Sequence, residues 1–489
     1  MKRSFFMKSF PVAVFFAFLA AGCSSQKEDE GKIPLTASSE EAKSEFLKGR
    51  DLFEKLKGTE SLQFLENAIK RDENFAIAYY YHSFSNPTAK GFFEDVDKAV
   101  SLADKTSEGE KLLILSLKEG VNGNTKKQEE YLNKLVELYP KDERAHFQFG
   151  TFYFGLQEYQ KASDHLKKSI ELDSVFAPAY NLLGYSERNL GNYSDAETSF
   201  KKYIELIPND PNPYDSYAEL LLKTGKYDES IKQYEKALTV DKNFVPSFVG
   251  IATNYNYLGK HADARNQLQK YYNMARNEGE KRAALFSTAV SYLDEGNFTK
   301  ALEEMQKQLE MGEKINDAAA VSGDLNTMGN ILFEMGKYDE AKAKYDKALQ
   351  IMEASNLSTE VKNTTKRLDI YNQARIALMK GDLTSAKEKS KQFGDQANAA
   401  NNTFQIWLSH ELEGMIALKE KDYKKAEDEF KKGSQQNPYT FYRLALASEG
   451  QKDKESAGNY YKMAGNFNAL NNMNQAFIRN KALKLAAAK

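Results

Sequence analysis

One spacing recurs along this chain of 489 residues and restricts its fold more than any other feature. Gly191, Gly225 and Gly259 stand 34 positions apart, and a tyrosine or histidine ring follows each of them by two positions. An alanine or a serine follows each glycine by five positions. Self-similarity at a fixed period marks a repeat array, in which each unit buries its apolar face against its neighbours. We therefore expect a solenoid instead of several globular domains.

The unit 177–210 has the spacing of two antiparallel helices. Apolar residues recur at helical intervals on both sides of Gly191, and Pro208 closes the unit because proline cannot continue a helix. Gly184 and Ala196 are small, which predicts that the two helices approach each other closely there. Gly191 suits a chain reversal with a positive φ.

These features resemble the tetratricopeptide repeat (TPR) family, whose pattern is matched by Tyr180, Leu183, Gly184, Gly191, Tyr193, Ala196, Phe200 and Pro208. The resemblance implies an all-α fold, a right-handed α-solenoid of stacked helix–turn–helix repeats. Beyond Val245 the turn glycines stand further apart, and no proline occurs between Pro246 and Pro438, so longer helices are allowed there. The expected organisation is divergent units over 42–142, regular 34-residue units over 143–278, longer and divergent units over 279–471, and a C-terminal capping helix over 472–489.

The N-terminus indicates a compartment. Three basic residues precede an apolar run over 10–21, which predicts a signal peptide over 1–22. The run ends in Leu-Ala-Ala-Gly-Cys and resembles the bacterial lipoprotein box, which implies attachment of lipid, palmitate included, to Cys23. An ordinary secretion signal with an incidental cysteine is the alternative. The polar residues 23–41 are expected to form a flexible tether.

The resemblance to lipoproteins implies a place in the cell envelope. Ser24 is not the aspartate associated with retention at the inner membrane, so an outer-membrane lipoprotein is favoured. The run 27–30, Lys-Glu-Asp-Glu, resembles short surface-export signals of some bacterial lipoproteins. Both a periplasm-facing and a surface-exposed array remain open.

No motif for catalysis is found. The sequence 410–414, His-Glu-Leu-Glu-Gly, lacks the second histidine of a zinc-protease helix, and Gly414 falls at a close-packing position of a repeat. Phosphate-binding loops, nucleophile elbows and dinucleotide fingerprints are missing from the sequence. The formal net charge of −2 and the interspersed charges give no field for nucleic acid. We expect no enzyme, no cofactor, no metal site and no nucleic-acid partner.

The remaining candidate for a functional site is the surface of the repeat array. In TPR proteins the first helix of each unit lines the concave side, and its exposed positions commonly contact a peptide. These positions identify a candidate groove: Arg144, Asn181, Tyr185, Arg188, Asn189, Asn326, Asn330, Tyr371 and Arg375. The clamp of TPR proteins that bind chaperone tails is absent, because Phe147 and Thr151 stand where its lysine and asparagine belong.

The leading hypothesis is a membrane-anchored, non-catalytic TPR scaffold of the bacterial cell envelope that binds an unidentified protein or peptide through its concave face. The alternative is a glycan- or nutrient-capture lipoprotein working with an outer-membrane transporter. Such proteins carry long insertions and clustered aromatic residues, whereas this chain has short connections and one tryptophan, Trp407.

Overall fold

The structure, a computed structural model, describes residues 31–488. The predicted signal peptide and Cys23 lie outside these residues. Within 31–488 the chain forms 25 α-helices, one 3-10 helix (Ala103–Lys105) and no β-strand. None of these helices is both long enough and apolar enough to span a bilayer.

The helices of the first half are α1 (Glu40–Glu54), α2 (Gly58–Arg71), α3 (Ala76–Ser85), α4 (Ala89–Leu102), α5 (Glu108–Val121), α6 (Thr125–Leu138), α7 (Glu143–Gly155), α8 (Tyr159–Leu172), α9 (Ala177–Leu190), α10 (Tyr193–Leu206), α11 (Asn212–Lys223) and α12 (Tyr227–Val240). Those of the second half are α13 (Val245–Tyr257), α14 (His261–Met274), α15 (Glu278–Glu295), α16 (Phe298–Lys314), α17 (Ala318–Glu334), α18 (Tyr338–Ala354), α19 (Thr359–Lys380), α20 (Leu383–Ala399), α21 (Thr403–Glu420), α22 (Tyr423–Lys432), α23 (Pro438–Gly450), α24 (Lys454–Gly465) and α25 (Met473–Ala487). Each odd-numbered helix up to α23 pairs with the helix that follows it, and each pair packs on the next. The predicted all-α fold is confirmed: the described chain is a right-handed α-solenoid.

The predicted chain reversals and close contacts are confirmed. Gly191, Gly225 and Gly259 have φ angles of 83°, 77° and 73°, in the left-handed region that glycine adopts without a steric penalty. A Cβ added to Gly184 would lie 2.7 Å from Cε1 of Phe200. The ring on the second helix therefore packs directly on the backbone of the first helix.

Helix lengths follow the sequence pattern. Helices α9 to α14 have 12 to 14 residues, whereas α15 to α21 have 17 to 22. Near the N-terminus α3 has only 10 residues, because it ends at Ser85 directly before Asn86 and Pro87. The side chain of Thr88 then caps α4 by accepting the N–H of Gly91.

The described part of the predicted tether is folded, which corrects the expectation for 23–41. Residues 32–38, the N-terminal strap, lie across the C-terminal end of α2 and the starts of α5 and α7. Their main-chain N–H groups donate to one carboxylate each: Ser38 to Asp72 at 2.7 Å, Thr36 to Glu110 at 3.0 Å and Ile33 to Asp142 at 2.8 Å. Ile33 and Leu35 also pack on the N-terminal core. The strap is ordered because these two apolar side chains and the three donors all find partners, and α1 starts at Glu40 instead of residue 42.

Successive turns of the solenoid touch each other. Residues between 216 and 277 positions apart are joined by hydrogen bonds, among them Arg276 to Glu60 at 2.6 Å, Lys90 N–H to Asp317 at 3.2 Å, Thr125 to the carbonyl of Asn401 at 3.0 Å, and Gln157 to Ser434 at 2.7 Å. Successive turns of the array are thus joined along this seam.

The predicted capping helix over 472–489 corresponds to α25, but it does more than cover the end of the array. It packs on α24 and also on α23 and α15. The ring of Phe477 lies parallel to the ring of Phe298 on α16, with 6.0 Å between centroids and 4° between planes. The C-terminal helix therefore joins the end of the solenoid to its middle from the inside.

Candidate functional site

Four of the nine predicted groove residues line one cavity. Asn326 and Asn330 belong to α17, and Tyr371 and Arg375 belong to α19. The cavity has a volume of about 420 Å³ and is enclosed by α17, α19, α21, α23 and α25. We call it the α17–α23 chamber. Its size suits a small molecule or a few residues of a polypeptide.

Glu411 is the centre of the polar network in the α17–α23 chamber. Its Oε1 accepts a hydrogen bond from the hydroxyl of Tyr371 at 2.8 Å and lies 2.8 Å from Nη1 of Arg443. Its Oε2 accepts a hydrogen bond from Nδ2 of Asn437 at 3.1 Å. Burial opposes ionisation of Glu411, but Arg443 and the Tyr371 hydroxyl hold the pKa of its carboxyl below the ordinary value. The chamber therefore contains a carboxylate whose charge is already compensated by the protein.

Arg375 supplies a second cation to the chamber. Its Nη1 donates to Oδ1 of Asn330 at 3.1 Å and to Oδ1 of Asn372 at 3.4 Å, and its guanidinium lies 4.2 Å from the ring centre of Phe333. Burial opposes the charge, but the oxygens of Tyr371 and its neighbours raise the pKa of Arg375 above the ordinary value. Within residues 31–488 the buried Nε of Arg375 has no hydrogen-bond acceptor. An acceptor group on a ligand would satisfy it.

Arg144, a further predicted groove residue, is occupied within the chain. Its Nε and Nη2 donate to the two carboxylate oxygens of Glu54 at 2.8 and 3.0 Å, a fork-like pair that leaves little of the guanidinium for a ligand. Its guanidinium also lies 4.8 Å from the ring centre of Phe176. Arg144 lines a cavity of about 870 Å³ beside the N-terminal strap. Its main role in the described structure is to join α7 to α1.

Tyr185 and Arg188 have packing roles that the sequence did not indicate. The ring of Tyr185 meets the ring of Phe200 edge to face, with centroids 5.1 Å apart. The guanidinium of Arg188 lies 4.7 Å from the ring centre of Tyr185, and its Nη1 donates to Glu219 at 3.3 Å. Substituting either residue would disturb the stack between neighbouring repeats as well as any bound ligand.

Asn181 and Asn189 lie on the same helix, α9, about two turns apart. Neither residue lines the α17–α23 chamber. The buried Oδ1 of Asn181 has no hydrogen-bond donor within residues 31–488. The structure thus separates the nine predicted residues into three places along the concave face instead of one continuous groove.

The middle of the concave face is occupied by the chain itself. Residues 466–472 connect α24 to α25, and we call them the inner segment. Three side chains hold it: Nζ of Lys223 donates to the carbonyl of Phe467 at 2.7 Å, the hydroxyl of Tyr227 donates to Oδ1 of Asn468 at 2.9 Å, and the hydroxyl of Tyr257 donates to the carbonyl of Ala469. A non-helical stretch of the chain is therefore bound on this face, through two main-chain carbonyls and one side-chain amide.

Helix α25 and the end of the inner segment fill the adjoining part of the concave face. Their polar side chains bind groups of the middle repeats: Asn471 donates to Oγ of Ser287 at 3.0 Å, Arg479 to the carbonyl of Tyr257 at 2.9 Å, and Asn480 to the carbonyl of Asp294 at 2.9 Å. The cavity that remains between α13, α15 and the chain's C-terminal part measures only about 10 Å³. No ligand fits there while the C-terminal part stays in place.

Sequence reasoning missed several residues of the chamber. Glu411 and Arg443 stand on helix faces that the repeat pattern treats as solvated, and Asn474 donates to Asn437 at 3.1 Å from α25. One signal was available in the sequence. Glu411 follows Tyr371 by 40 positions, which is close to the length of the longer repeat units. Adding this length to the predicted groove position of Tyr371 would have selected Glu411.

The predicted close-packing position of Gly414 is confirmed. A Cβ added to Gly414 would lie 2.5 Å from Cε1 of Phe430, so this glycine permits close helix packing. Nδ1 of His410 lies 2.8 Å from Oε2 of Glu429. In the part of the chain that the structure describes, no group of three or more His, Cys, Asp or Glu side chains is placed to hold a metal ion.

Comparison with known proteins gives the same repeats. Profiles of the tetratricopeptide repeat family match residues 143–176, 177–210 and 212–244, residues 249–313, and residues 323–355. The first two boundaries coincide with the unit starts expected at Glu143 and Ala177. A TPR repeat-containing protein of Methanocaldococcus jannaschii is 24% identical over 408 residues, which cover 74% of this chain and 68% of that protein.

A second relative is the anaphase-promoting complex subunit CDC16 of Saccharomyces cerevisiae, 24% identical over 298 residues. That alignment covers 51% of this chain and 36% of the yeast protein, so the chain spans about a third of this relative. Among solved structures, MamA covers 42% of this chain at 19% identity and a TM-score of 0.28, with 94% of its own length aligned. YrrB, described as a TPR protein with an unusual peptide-binding site, covers 37% of this chain at 19% identity and a TM-score of 0.25, with 91% of its own length aligned.

Proposed function

We infer that this chain, a member of the tetratricopeptide repeat family, is a non-catalytic scaffold that binds another protein or peptide. The repeats are typical of interaction scaffolds, and the concave face is the surface we assign to the ligand. The α17–α23 chamber is the accessible part of that face that contains four of the predicted groove residues.

One observation supports this proposal above the others. The side chains of Lys223, Tyr227 and Tyr257 hold the inner segment through its main-chain carbonyls and one asparagine amide. Lys223 and Tyr257 end the first helices α11 and α13, on the side of the repeats that the family uses for peptides, and Tyr227 begins the second helix α12. A face that binds one non-helical stretch of this chain has the chemistry to bind a similar stretch of a partner.

We further propose attachment to a membrane through lipid on Cys23, at the outer membrane of a bacterial cell envelope. The eight steps from Cys23 to Gly31 span at most about 29 Å when fully extended. Because the N-terminal strap packs on the first repeats, the residues after Gly31 do not lengthen this connection. A lipidated chain would therefore hold the array close to the membrane surface, on its periplasmic or its outer side.

The glycan-capture alternative has less support. Sugar rings stack on exposed aromatic faces, and clustered rings are needed. Trp407 instead meets Phe404 nearly at right angles, with an interplanar angle of 88° and centroids 5.3 Å apart. Phe404 is half exposed, but these two rings on α21 form a single edge-to-face pair and not the clustered faces that stacking on a glycan requires.

Site-specific photo-cross-linking tests the scaffold proposal. A photoreactive amino acid is placed at Asn326 in the chamber or, as a matched control, at Lys201 on the outer helix α10, and whole cells are irradiated before capture of the full chain. We expect one protein to be cross-linked reproducibly from Asn326 and not from Lys201. Cross-linking from Lys201 alone would contradict the assignment to the concave face.

A further inference from the structure

The inner segment is recognised by its side chains as well as by its backbone. Nζ of Lys223 lies 3.6 Å from the ring centre of Phe467, in addition to its bond with the Phe467 carbonyl. An ammonium over an aromatic face is attracted by the ring quadrupole. An aliphatic side chain at position 467 would lose this attraction, so the site selects an aromatic residue there.

The next residue, Asn468, is recognised through its side-chain amide. Oδ1 of Asn468 accepts from the hydroxyl of Tyr227 at 2.9 Å, and Nδ2 of Asn468 donates to the main-chain carbonyl of Lys223 at 3.4 Å. Asparagine supplies both an acceptor and a donor on one short side chain. Leucine would leave both partners unsatisfied, and aspartate would lose the donor.

The inner segment is held at an energetic cost. Asn468 and Asn471 have φ angles of 52° and 45°, in the left-handed region that most residues with a Cβ avoid and that asparagine adopts at a smaller cost. Lys223 has no ion pair with a carboxylate within residues 31–488, and the charge of Arg188 lies nearby. Both features lower the net stability of the contact without removing any of its selectivity.

The inner segment also packs on the last repeat. Helices α24 and α25 share a hydrophobic core that includes Ala464, Ile478 and Ala482, and Phe467 packs against that core. The ring centroid of Phe467 lies 5.9 Å from that of Phe441 on α23. Helices α24 and α25 also contact each other directly, so a partner that replaces Phe467 at Lys223 must outcompete the contact with Phe441 as well.

We propose that the surface formed by Lys223, Tyr227 and Tyr257 is a binding site for a non-helical polypeptide segment in which an aromatic residue precedes asparagine, and that Phe467 and Asn468 occupy it in the resting chain. This rests on the proposed scaffold function and names the chemistry of its ligand. Because the inner segment is tethered, its effective concentration is high. A partner binds only when its own contacts exceed those of the inner segment, so the segment sets a threshold for binding.

The test uses full-length chains and a fluorescein-labelled peptide with the sequence of residues 464–472. It is run below about pH 7, the pKa of Lys223, so that this side chain is an ammonium. Fluorescence polarisation measures the Kd for the wild-type chain and for a Phe467→Ala/Asn468→Ala chain, whose helicity is checked by circular dichroism. We expect the double variant to bind the peptide at least tenfold more tightly than the wild type, because the competing segment has lost both recognised side chains. Asn468→Ala alone serves as a milder variant, with a smaller gain, if the double variant does not fold.

Lys223→Met in the double-variant background supplies the control for location. The gain in affinity should disappear, because the ammonium that holds the ring and the carbonyl is gone. Equal affinity of the wild type and the double variant, or a gain that survives Lys223→Met, would overturn the inference. If a partner is cross-linked from Asn326 but the peptide shows no gain, the scaffold function stands and only this site assignment fails.

Discussion

Nζ of Lys223 lies 2.7 Å from the carbonyl oxygen of Phe467, although 244 positions separate the two residues. This contact joins the end of α11 to the loop before α25, and it closes the solenoid from the inside. A first helix of the regular repeats thus uses a residue of its concave side to hold a non-helical stretch of the chain. The same contact reduces the part of the concave face that is open to a partner.

The buried lysine predicts a pH dependence of stability. Burial, with the charge of Arg188 nearby, lowers the pKa of Lys223 from 10.5 to about 7. Between these values the unfolded chain binds one more proton than the folded chain, so the free energy of unfolding rises with pH across this window and is insensitive to Lys223 below it. The slope from this group is at most about 1.4 kcal/mol per pH unit.

Urea unfolding at pH 7.0 to 9.5, buffer values chosen to lie roughly inside that window, measures the effect. Lys223→Met should lower the slope of the unfolding free energy against pH, whereas Lys201→Met on the exposed side of α10 should leave it unchanged. Identical slopes for the wild type and Lys223→Met would show that Lys223 keeps its ordinary pKa.

Two glycines of α17 give a matched pair for the packing of the repeats. A Cβ at Gly329 would lie 2.3 Å from Cε1 of Tyr345, whereas a Cβ at Gly323 meets nothing within 4 Å. Gly329→Ala should lower the free energy of unfolding by about 1–3 kcal/mol through overpacking. Gly323→Ala should raise it by about 0.5–1 kcal/mol, because alanine favours the helix. Thermal denaturation measures the stability of both variants. If the Gly329→Ala chain were more stable than the Gly323→Ala chain, the repeat register would be wrong.

A second pair on α10 tests the same register in the regular repeats. Ala196 is fully buried, and Ala196→Trp should cost about 1–3 kcal/mol or more. Lys201 makes an exposed ion pair with Glu197 at 2.8 Å, so Lys201→Ala should change stability by about 0.5 kcal/mol or less. Denaturant unfolding of the two chains measures both values, and equal losses would contradict the placement of α10.

The anchor proposal is tested at Cys23. A Cys23→Ala chain should lose metabolic labelling by fatty acid and leave the membrane fraction, while a Lys201→Ala chain should retain both. Protease treatment of intact cells then distinguishes a surface-exposed array, which is cleaved, from a periplasm-facing one. A wild-type chain that carries no label and still partitions with membranes would reject lipidation as the anchor.

The repeat architecture could be predicted because its determinants are local and periodic. Gly191 with its positive φ and Gly184 under the ring of Phe200 are each explained by residues of the same unit. The 34-residue period then extends one unit to its neighbours. Family resemblance and elementary helix packing agree at these positions.

The contacts between distant units could not be predicted, because no period relates them. Arg144 was selected as a groove residue, yet Glu54, 90 positions earlier, holds it. The sequence of the polar inner segment is typical of a connecting loop. Only the superhelical path of the array brings this segment close to Lys223. The N-terminal strap looked like a tether because its carboxylate partners lie on three different repeats.

The central claim is that the concave face binds the partner. The most direct test measures the affinity of the cross-linked partner for three full-length chains. Isothermal titration compares the wild type, Arg375→Gln in the α17–α23 chamber, and Lys201→Glu/Lys202→Glu on the outer face of α10. We predict that Arg375→Gln weakens binding at least tenfold, about 1.4 kcal/mol or more, and that the outer-face chain binds like the wild type. Unchanged binding to Arg375→Gln together with lost binding to the outer-face chain would contradict the account.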